Sequence, residues 1–238
     1  MILGPASPPV PRHALASTSK VLGILGGTFD PVHCGHVQMA QEVREALRLP
    51  EVLLMPAGDP PHRARPGAGG TDRAAMVALA IAGHPGLGLD DREIRRQGPS
   101  YTVLTLEELR SERPFQPLAL ILGADAFLGL PAWHRWREVL ALTHLIVVAR
   151  PGLDLEAAIQ EPLAAACRER LTGDPRTLET VSGGSIYHQS ITPHAISASA
   201  IRDALARGAV SEVRGTVPAA VLSYIQHHHL YELPSDAI

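Results

Sequence analysis

The sequence predicts an α/β fold in which a doubly wound, mostly parallel sheet carries helices on both faces. Short, continuous apolar runs, which are typical of parallel strands buried on both faces, recur at 21–25, 52–55, 118–122 and 145–148. Helical patterns alternate with these runs, at 37–49, 72–82 and 102–110. A glycine-rich turn directly follows the first run, at the strand end where such sheets bind their ligands.

The composition fits one folded domain. The chain has 238 residues, of which 45% are hydrophobic, and its mean hydropathy is +0.07, which allows a sizeable core. We expect residues 20–238 to form this domain and residues 1–19, rich in Pro, Ser and Ala, to be a disordered extension. The net charge of −3 favours neither nucleic acid nor a membrane surface as partner. Two cysteines and no apolar run of transmembrane length indicate a cytoplasmic protein.

The turn after the first run carries the strongest functional signal. Residues 26–36 read Gly-Gly-Thr-Phe-Asp-Pro-Val-His-Cys-Gly-His, and a helical pattern begins near Val37. Gly26 and Gly27 let the backbone approach a ligand closely, and the free N–H groups of a helix start suit a phosphate. His33 and His36 can both point at one anion from the first helical turn. This segment therefore predicts a phosphate site with two imidazole donors.

Two other interpretations of the histidine pair remain open at this stage. His33 and His36 could cap a helix or fill a core, as an isolated His-x-x-His pair often does. They also have the spacing of metal ligands on a helix, but zinc takes three or four protein ligands and no nearby cluster supplies the others. We therefore predict no metal bound by the protein itself.

Further polar segments follow the later strands. Residues 56–63, which end in His62 and Arg63, form a proline-rich loop after the second strand, where Arg63 could contact an anion or lie in solvent. Pro99-Ser100-Tyr101-Thr102 precedes a helix whose first N–H groups suit a carboxylate. Asp125, after the third of these strands, could hold a ribose hydroxyl, orient a basic side chain or act as a helix N-cap. Trp133, followed by His134, could stack on an aromatic ring or pack in the core.

The C-terminal part contains one more candidate anion site. Residues 151–180 carry a helical pattern and no site motif, which indicates an insertion or an edge element. After the strand-like 185–187, Ser197 is a natural helix N-cap, with Ser199 and Arg202 on or near the first turn. Hydroxyls, free N–H groups and a guanidinium together can hold an anion. A serine cap with a solvated arginine is the simpler alternative.

These segments resemble, in order and spacing, the bacterial nicotinate-nucleotide adenylyltransferase family of H-x-G-H nucleotidyltransferases. The resemblance covers about residues 20–231. Its motifs are G-G-T-F-D-P-x-H-x-G-H, the P-P-H-[KR] loop, P-S-Y-T before a helix, G-x-D followed by P-x-W, and I-S-x-[ST]-x-[IL]-R. The resemblance implies a Rossmann-like nucleotidyltransferase fold and the transfer of an adenylyl group from ATP to nicotinate mononucleotide, with Mg²⁺ carried by ATP. It gives no oligomeric state.

The resemblance also implies a role for each matching residue. On the ATP side it assigns phosphate contacts to His33, His36, Arg63, Ser197, Ser199 and Arg202, and backbone contacts to Gly26, Gly27, Thr28 and Phe29. On the acceptor side it assigns ring stacking to Trp133, carboxylate-binding amides near Thr102 and His134, and a ligand contact to Asp125.

Three rival functions are weighed against this one. A sister enzyme could use another phosphorylated acceptor, such as phosphopantetheine, or a polyol phosphate with CTP. Trp133 and residues 99–102 argue against it, because those acceptors carry no nicotinate. A non-catalytic nucleotide-binding module is disfavoured by the intact histidines and the Ser/Arg helix start. A class I aminoacyl-tRNA synthetase is disfavoured by the short chain and the lack of a basic RNA-binding face.

Overall fold

The computed structural model describes residues 20–58, 66–149, 155–193 and 195–232. Seven strands lie in these ranges: β1 (Leu22–Gly27), β2 (Glu51–Pro56), β3 (Leu87–Leu89), β4 (Leu118–Gly123), β5 (His144–Ala149), β6 (Leu171–Thr172) and β7 (Ile186–Ser190). The helices in these ranges are α1 (Cys34–Ala46), α2 (Gly70–Ile81), α3 (Arg92–Arg95), α4 (Thr102–Glu112), α5 (Ala124–Leu128), α6 (Trp136–Leu142), α7 (Leu155–Ala158), α8 (Leu163–Cys167), α9 (Thr177–Thr180), α10 (Ala198–Ala206), α11 (Val210–Val213) and α12 (Ala219–His227).

All seven strands join one parallel sheet in the order β3-β2-β1-β4-β5-β7-β6. The chain first moves from β1 outward to β3 and then crosses back to β4 on the other side of β1. This reversal leaves a crevice outside the carboxyl ends of β1 and β4, which is where doubly wound sheets bind ligands. The predicted fold class is confirmed.

The helices cover both faces of the sheet and bury a separate apolar cluster on each. On one face, alternate strand residues such as Leu25 and Leu54 pack against α1, α2, α10 and α12. On the other face, Ile24 and Leu120 belong to a cluster that includes residues of α4, α5, α6 and α8. The alternation of Ile24 and Leu25 between two cores explains why the strands have continuous apolar sequences.

The predicted elements are largely confirmed, with three corrections. The four apolar runs form β1, β2, β4 and β5, and the three helical patterns form α1, α2 and α4. Helix α1 starts at Cys34 rather than near Val37, because the N–H of Cys34 donates to the carbonyl of Thr216 at 2.9 Å and fixes the first turn. The short strands β3 and β6 were not predicted, and β6 shows that the segment 151–180 is not only helical.

Residues 1–19, the predicted extension, lie outside the described residues. The assignment of residues 20–238 to one domain therefore stays a prediction. Across the described part of the chain, every helix is too short or too polar to span a membrane.

Candidate active site

Residues 26–36, here called the first signature, begin at the carboxyl end of β1, at the crevice. Gly26 is exposed, and a Cβ added there would meet no atom within 4 Å. At Gly27 an added Cβ would lie 3.0 Å from the Phe29 ring, so a larger residue there would have to displace this ring. Phe29 is buried with φ at 50°, a left-handed conformation that few bulky residues adopt. The carbonyl of Thr28 accepts a hydrogen bond from Arg73 at 2.7 Å.

The two histidines stack on each other at the start of α1. Their ring centroids lie 3.6 Å apart at an interplanar angle of 21°. The N–H of His33 donates to Nδ1 of His36 at 3.3 Å, which leaves Nε2 of His36 as the protonated ring nitrogen. The Phe29 ring meets His36 edge-on at 5.0 Å. His33 is buried, and its Nδ1 has no hydrogen-bond partner among the described residues.

Both rings are held in the neutral form. Burial lowers the pKa of His33 to about 4. Burial, and secondarily the nearby His33, lowers the pKa of His36 to about 3. Close stacking agrees with this state, since two imidazolium ions would repel each other at this distance. The pair therefore presents neutral hydrogen-bond donors to a ligand.

We expect the stability of the ligand-free protein to fall as the pH is lowered from 6.5 towards 4. In this window an unfolded-state histidine binds a proton that folded His33 excludes, so each step to lower pH favours unfolding, by up to about 1.4 kcal/mol per pH unit. His33→Gln should flatten this dependence, as measured by urea unfolding at pH 7, 6 and 5. The exposed His227→Gln serves as control. Identical slopes for wild type and His33→Gln would contradict the assignment.

Asp30 sits in the middle of the signature as a buried carboxylate that binds three donors. It accepts from the N–H of Gly67 at 2.8 Å and from the N–H of Ala68 at 3.0 Å. The hydroxyl of Tyr231 donates to it at 2.8 Å. Sequence reasoning gave Asp30 no role, although it lies inside the quoted motif.

Residues 196–202, here called the second signature, contact the first signature at Asp30. Nη1 of Arg202 donates to the carbonyl of Asp30 at 2.7 Å, and Nη2 donates to Oγ of Ser199 at 3.3 Å. The predicted N-cap at Ser197 is confirmed, because its Oγ accepts from the N–H of Ala200 at 3.5 Å. Ser197 and Ser199 are exposed and Arg202 is about one-third exposed. Their hydroxyls, with the guanidinium, therefore lie on the open side of the first signature.

Arg73 is a second site residue that sequence reasoning missed. It is 1% exposed and supports the turn after β1 through the carbonyl of Thr28. The sequence contains a signal for Arg73, because its spacing places it on the buried face of α2 together with Met76, Val77 and Ala80. A charged residue on an apolar helix face is buried only with partners.

The predicted acceptor residues gather at the start of α4 and beyond α5. Thr102 is the first residue of α4, whose N-cap Tyr101 makes no side-chain cap hydrogen bond and whose first turn has no acidic residue. The rings of Tyr101 and His134 lie 4.3 Å apart, which joins the α4 start to the segment after α5. Trp133 is half-buried against the apolar cluster on this face. The aromatic side chains thus lie next to a helix start, whose first N–H groups have no partner within the helix.

Of the two remaining predicted site residues, the structure describes Asp125 but not Arg63. Asp125 lies in the first turn of α5 and is exposed, and the N-cap of this helix is Gly123. The N-cap interpretation of Asp125 is therefore wrong, while its position after β4 keeps it at the crevice. Arg63 lies outside the described residues, so its contact with the triphosphate stays a prediction.

A third residue missed by sequence reasoning, Glu93, ties the acceptor side to the end of β2. Its carboxylate accepts from Oγ of Ser100 at 2.6 Å, from Oγ1 of Thr105 at 2.7 Å and from the N–H of Gly58 at 3.4 Å. Arg96 donates to Ser100 and Thr105 as well. This network fixes the start of α4 relative to the turn after β2.

Known structures share this fold. A Plasmodium falciparum nicotinic acid mononucleotide adenylyltransferase complexed with NaAD aligns with a TM-score of 0.65 and 16% identity, over 89% of this chain and 97% of that one. A cytidylyltransferase-like family model matches residues 24–204, which include both signatures. Fold and sequence together define the chain as a nucleotidyltransferase.

Curated relatives narrow this class to one family. A protein of Halorhodospira halophila is 46% identical over 90% of this chain and 97% of its own length. A protein of Pseudomonas syringae pv. tomato is 48% identical over 93% and 98%, respectively. Each is named "probable nicotinate-nucleotide adenylyltransferase". The chain belongs to the nicotinate-nucleotide adenylyltransferase family.

Proposed function

We propose that this protein transfers the adenylyl group of ATP to nicotinate mononucleotide, giving nicotinate adenine dinucleotide and pyrophosphate in NAD biosynthesis. The observation that carries the proposal is the meeting of the two signatures at the end of β1. There the Arg202 guanidinium donates to the carbonyl of Asp30 at 2.7 Å, in the same segment whose two histidine rings stack on each other. The family membership and the fold support the same reaction.

The chemistry requires no nucleophile from the protein. An ionised oxygen of the mononucleotide's 5′-phosphate attacks the α-phosphorus of ATP and forms the new P–O bond. The bond from the α-phosphorus to the bridging oxygen breaks, and pyrophosphate leaves with the electron pair. Catalysis then consists of positioning the two phosphates and stabilising the charge that develops on their oxygens.

The phosphate side of the site suits that task. We assign His33 and His36 as neutral donors to the α- and β-phosphates, with Nε2 of His36 as the donor that the His33 N–H defines. The turn Gly26–Phe29 supplies backbone contacts, while Ser197, Ser199 and Arg202 hold the leaving pyrophosphate. From its sequence motif, we also assign a phosphate contact to Arg63, which lies outside the described residues.

The acceptor side uses different chemistry. We assign stacking on the nicotinate ring to Trp133 and binding of its carboxylate to amides near Thr102 and His134. We assign to Asp125, in the first turn of α5 after β4, a contact with a ribose hydroxyl or a basic group.

The Mg²⁺ ion expected with ATP fits this site as an ion carried by the nucleotide. Among the described residues no group of three or more His, Cys, Asp or Glu could hold a metal. The Asp30 carboxylate already accepts from two backbone N–H groups and the Tyr231 hydroxyl. Phosphate oxygens and water would therefore be the ligands, and the ion would neutralise phosphate charge.

Purified protein with ATP, Mg²⁺ and nicotinate mononucleotide is expected to release pyrophosphate and form the dinucleotide. The measurement is coupled pyrophosphate release with chromatographic identification of the product. The panel includes phosphopantetheine with ATP, and a polyol phosphate with CTP. Product formed only with one of those two pairs would refute the proposed acceptor.

A further inference from the structure

A tyrosine from the C-terminal segment contacts the same carboxylate that Arg202 approaches. The Tyr231 hydroxyl donates to Oδ1 of Asp30 at 2.8 Å, across 201 residues of sequence. The other oxygen of this carboxylate lies 3.8 Å from Nη1 of Arg202. The Tyr231 ring also covers Gly67, where an added Cβ would lie 3.1 Å from the ring.

The backbone of Tyr231 indicates that this placement is held by contacts. Its φ is 67°, in the left-handed region that bulky residues seldom occupy. Such a conformation persists only where the surroundings stabilise it. Burial, followed by the Asp30 contact, raises the pKa of Tyr231, so the hydroxyl remains a proton donor.

We propose that Tyr231 is a positioning residue that fixes Asp30 and, through it, holds the Arg202 guanidinium towards the leaving pyrophosphate. This inference rests on the proposed function of Arg202. Asp30 is 6% exposed, and its two oxygens accept three hydrogen bonds from neutral donors. Because these donors satisfy the carboxylate, Nη1 of Arg202 stays 3.8 Å from the nearer carboxylate oxygen of Asp30. The other N–H groups of the Arg202 guanidinium can then bind a ligand.

Loss of the hydroxyl should redirect the arginine. Oδ1 of Asp30 would then keep one donor, the N–H of Ala68. A buried carboxylate that lacks donors attracts the nearest cation. Arg202 would then shorten its 3.8 Å ion pair with Asp30 to hydrogen-bond distance, and its guanidinium would turn away from the crevice.

Tyr231→Phe is therefore expected to weaken ATP binding by about tenfold, the scale of one hydrogen bond to a charged group. The KM for pyrophosphate in the reverse reaction should rise by a similar factor. The KM for nicotinate mononucleotide should stay within about twofold, because no acceptor contact is assigned to Arg202 or Tyr231. A role in folding alone would not separate the two substrates.

Tyr224→Phe is the matched control. The Tyr224 hydroxyl, on α12, likewise donates to a carboxylate far away in the sequence, that of Asp72 on α2, at 3.0 Å. Its loss should leave the ATP and pyrophosphate parameters unchanged. A second comparison is Arg202→Ala with and without Tyr231→Phe. If Tyr231 acts through Arg202, the tyrosine change should have little further effect in the alanine background.

Binding of ATP measured by calorimetry keeps this test independent of the acceptor. An unchanged ATP dissociation constant in Tyr231→Phe would overturn the inference, as would additive effects of the two substitutions. Equal losses in Tyr231→Phe and Tyr224→Phe would overturn it too. Absence of turnover with nicotinate mononucleotide, combined with selective loss of ATP binding in Tyr231→Phe, would reject the proposed function and keep the positioning role.

Discussion

His36→Ala is expected to lower kcat by on the order of 10²-fold or more, with a much smaller change in the affinity for either substrate. The His36 ring is fixed by the His33 N–H at 3.3 Å, by stacking on His33 and by the Phe29 edge. It therefore donates from Nε2 without reorienting as charge builds on the phosphate oxygens. Removal of one preorganised donor of this kind typically costs two to three orders of magnitude in kcat.

His33→Ala should also lower kcat, by a comparable factor, because it removes the stacking partner of His36 as well as a donor. His33 is 7% exposed, so its replacement is also expected to lower the melting temperature. His84→Ala is the control, since His84 follows the C-terminal end of α2 and its ring bonds to Gln41 of α1. Normal turnover in His36→Ala would contradict the role of His36 in stabilising charge on the phosphate oxygens. Loss of cooperative unfolding in both variants would favour a purely structural pair.

The parts of the site that the sequence predicts are those formed by neighbouring residues. The eleven residues 26–36 contain the turn, the helix start and both histidines, and the N-cap at Ser197 needs only its own first turn. The order of the motifs at successive strand ends then predicts that they share one edge of the sheet.

The contacts of Asp30 with Tyr231 and of Glu93 with Gly58 join segments that are far apart in the sequence, so no local pattern contains them. Tyr231 and Asp30 are 201 positions apart, and Glu93 joins three segments. Helix α1 starts before the predicted position near Val37, because the N–H of Cys34 bonds to Thr216, from the other end of the chain. Strands β3 and β6 have three and two residues, too few to show a periodicity.

A marked preference for nicotinate mononucleotide over nicotinamide mononucleotide is the second large effect that we expect. The two acceptors differ only in a carboxylate or a neutral amide on the ring. At the start of α4, the N-cap Tyr101 makes no side-chain cap hydrogen bond, and the first N–H groups of a helix have no partner within the helix. Such donors suit a carboxylate, whereas the NH₂ of the amide would face other donors.

The size of the preference follows from the groups left unpaired. A donor that loses its acceptor in a buried site costs about 1–3 kcal/mol, and two such donors give a preference of roughly 10² or more in kcat/KM. The positive end of the α4 dipole adds to it in the same direction. The measurement is kcat/KM for both acceptors at saturating ATP.

Trp133→Ala separates ring stacking from recognition of the carboxylate. Stacking uses the face of the ring, which both acceptors share, so the variant should raise both acceptor KM values by similar factors. The KM for ATP should change little, and Phe115→Ala, at a side chain that is 91% exposed, should change none of the three. If Trp133→Ala raised the KM for nicotinate mononucleotide alone, Trp133 itself would discriminate between the two acceptors. Equal kcat/KM for the two acceptors in the wild type would refute the carboxylate site at α4, because donors placed there must distinguish a carboxylate from an amide.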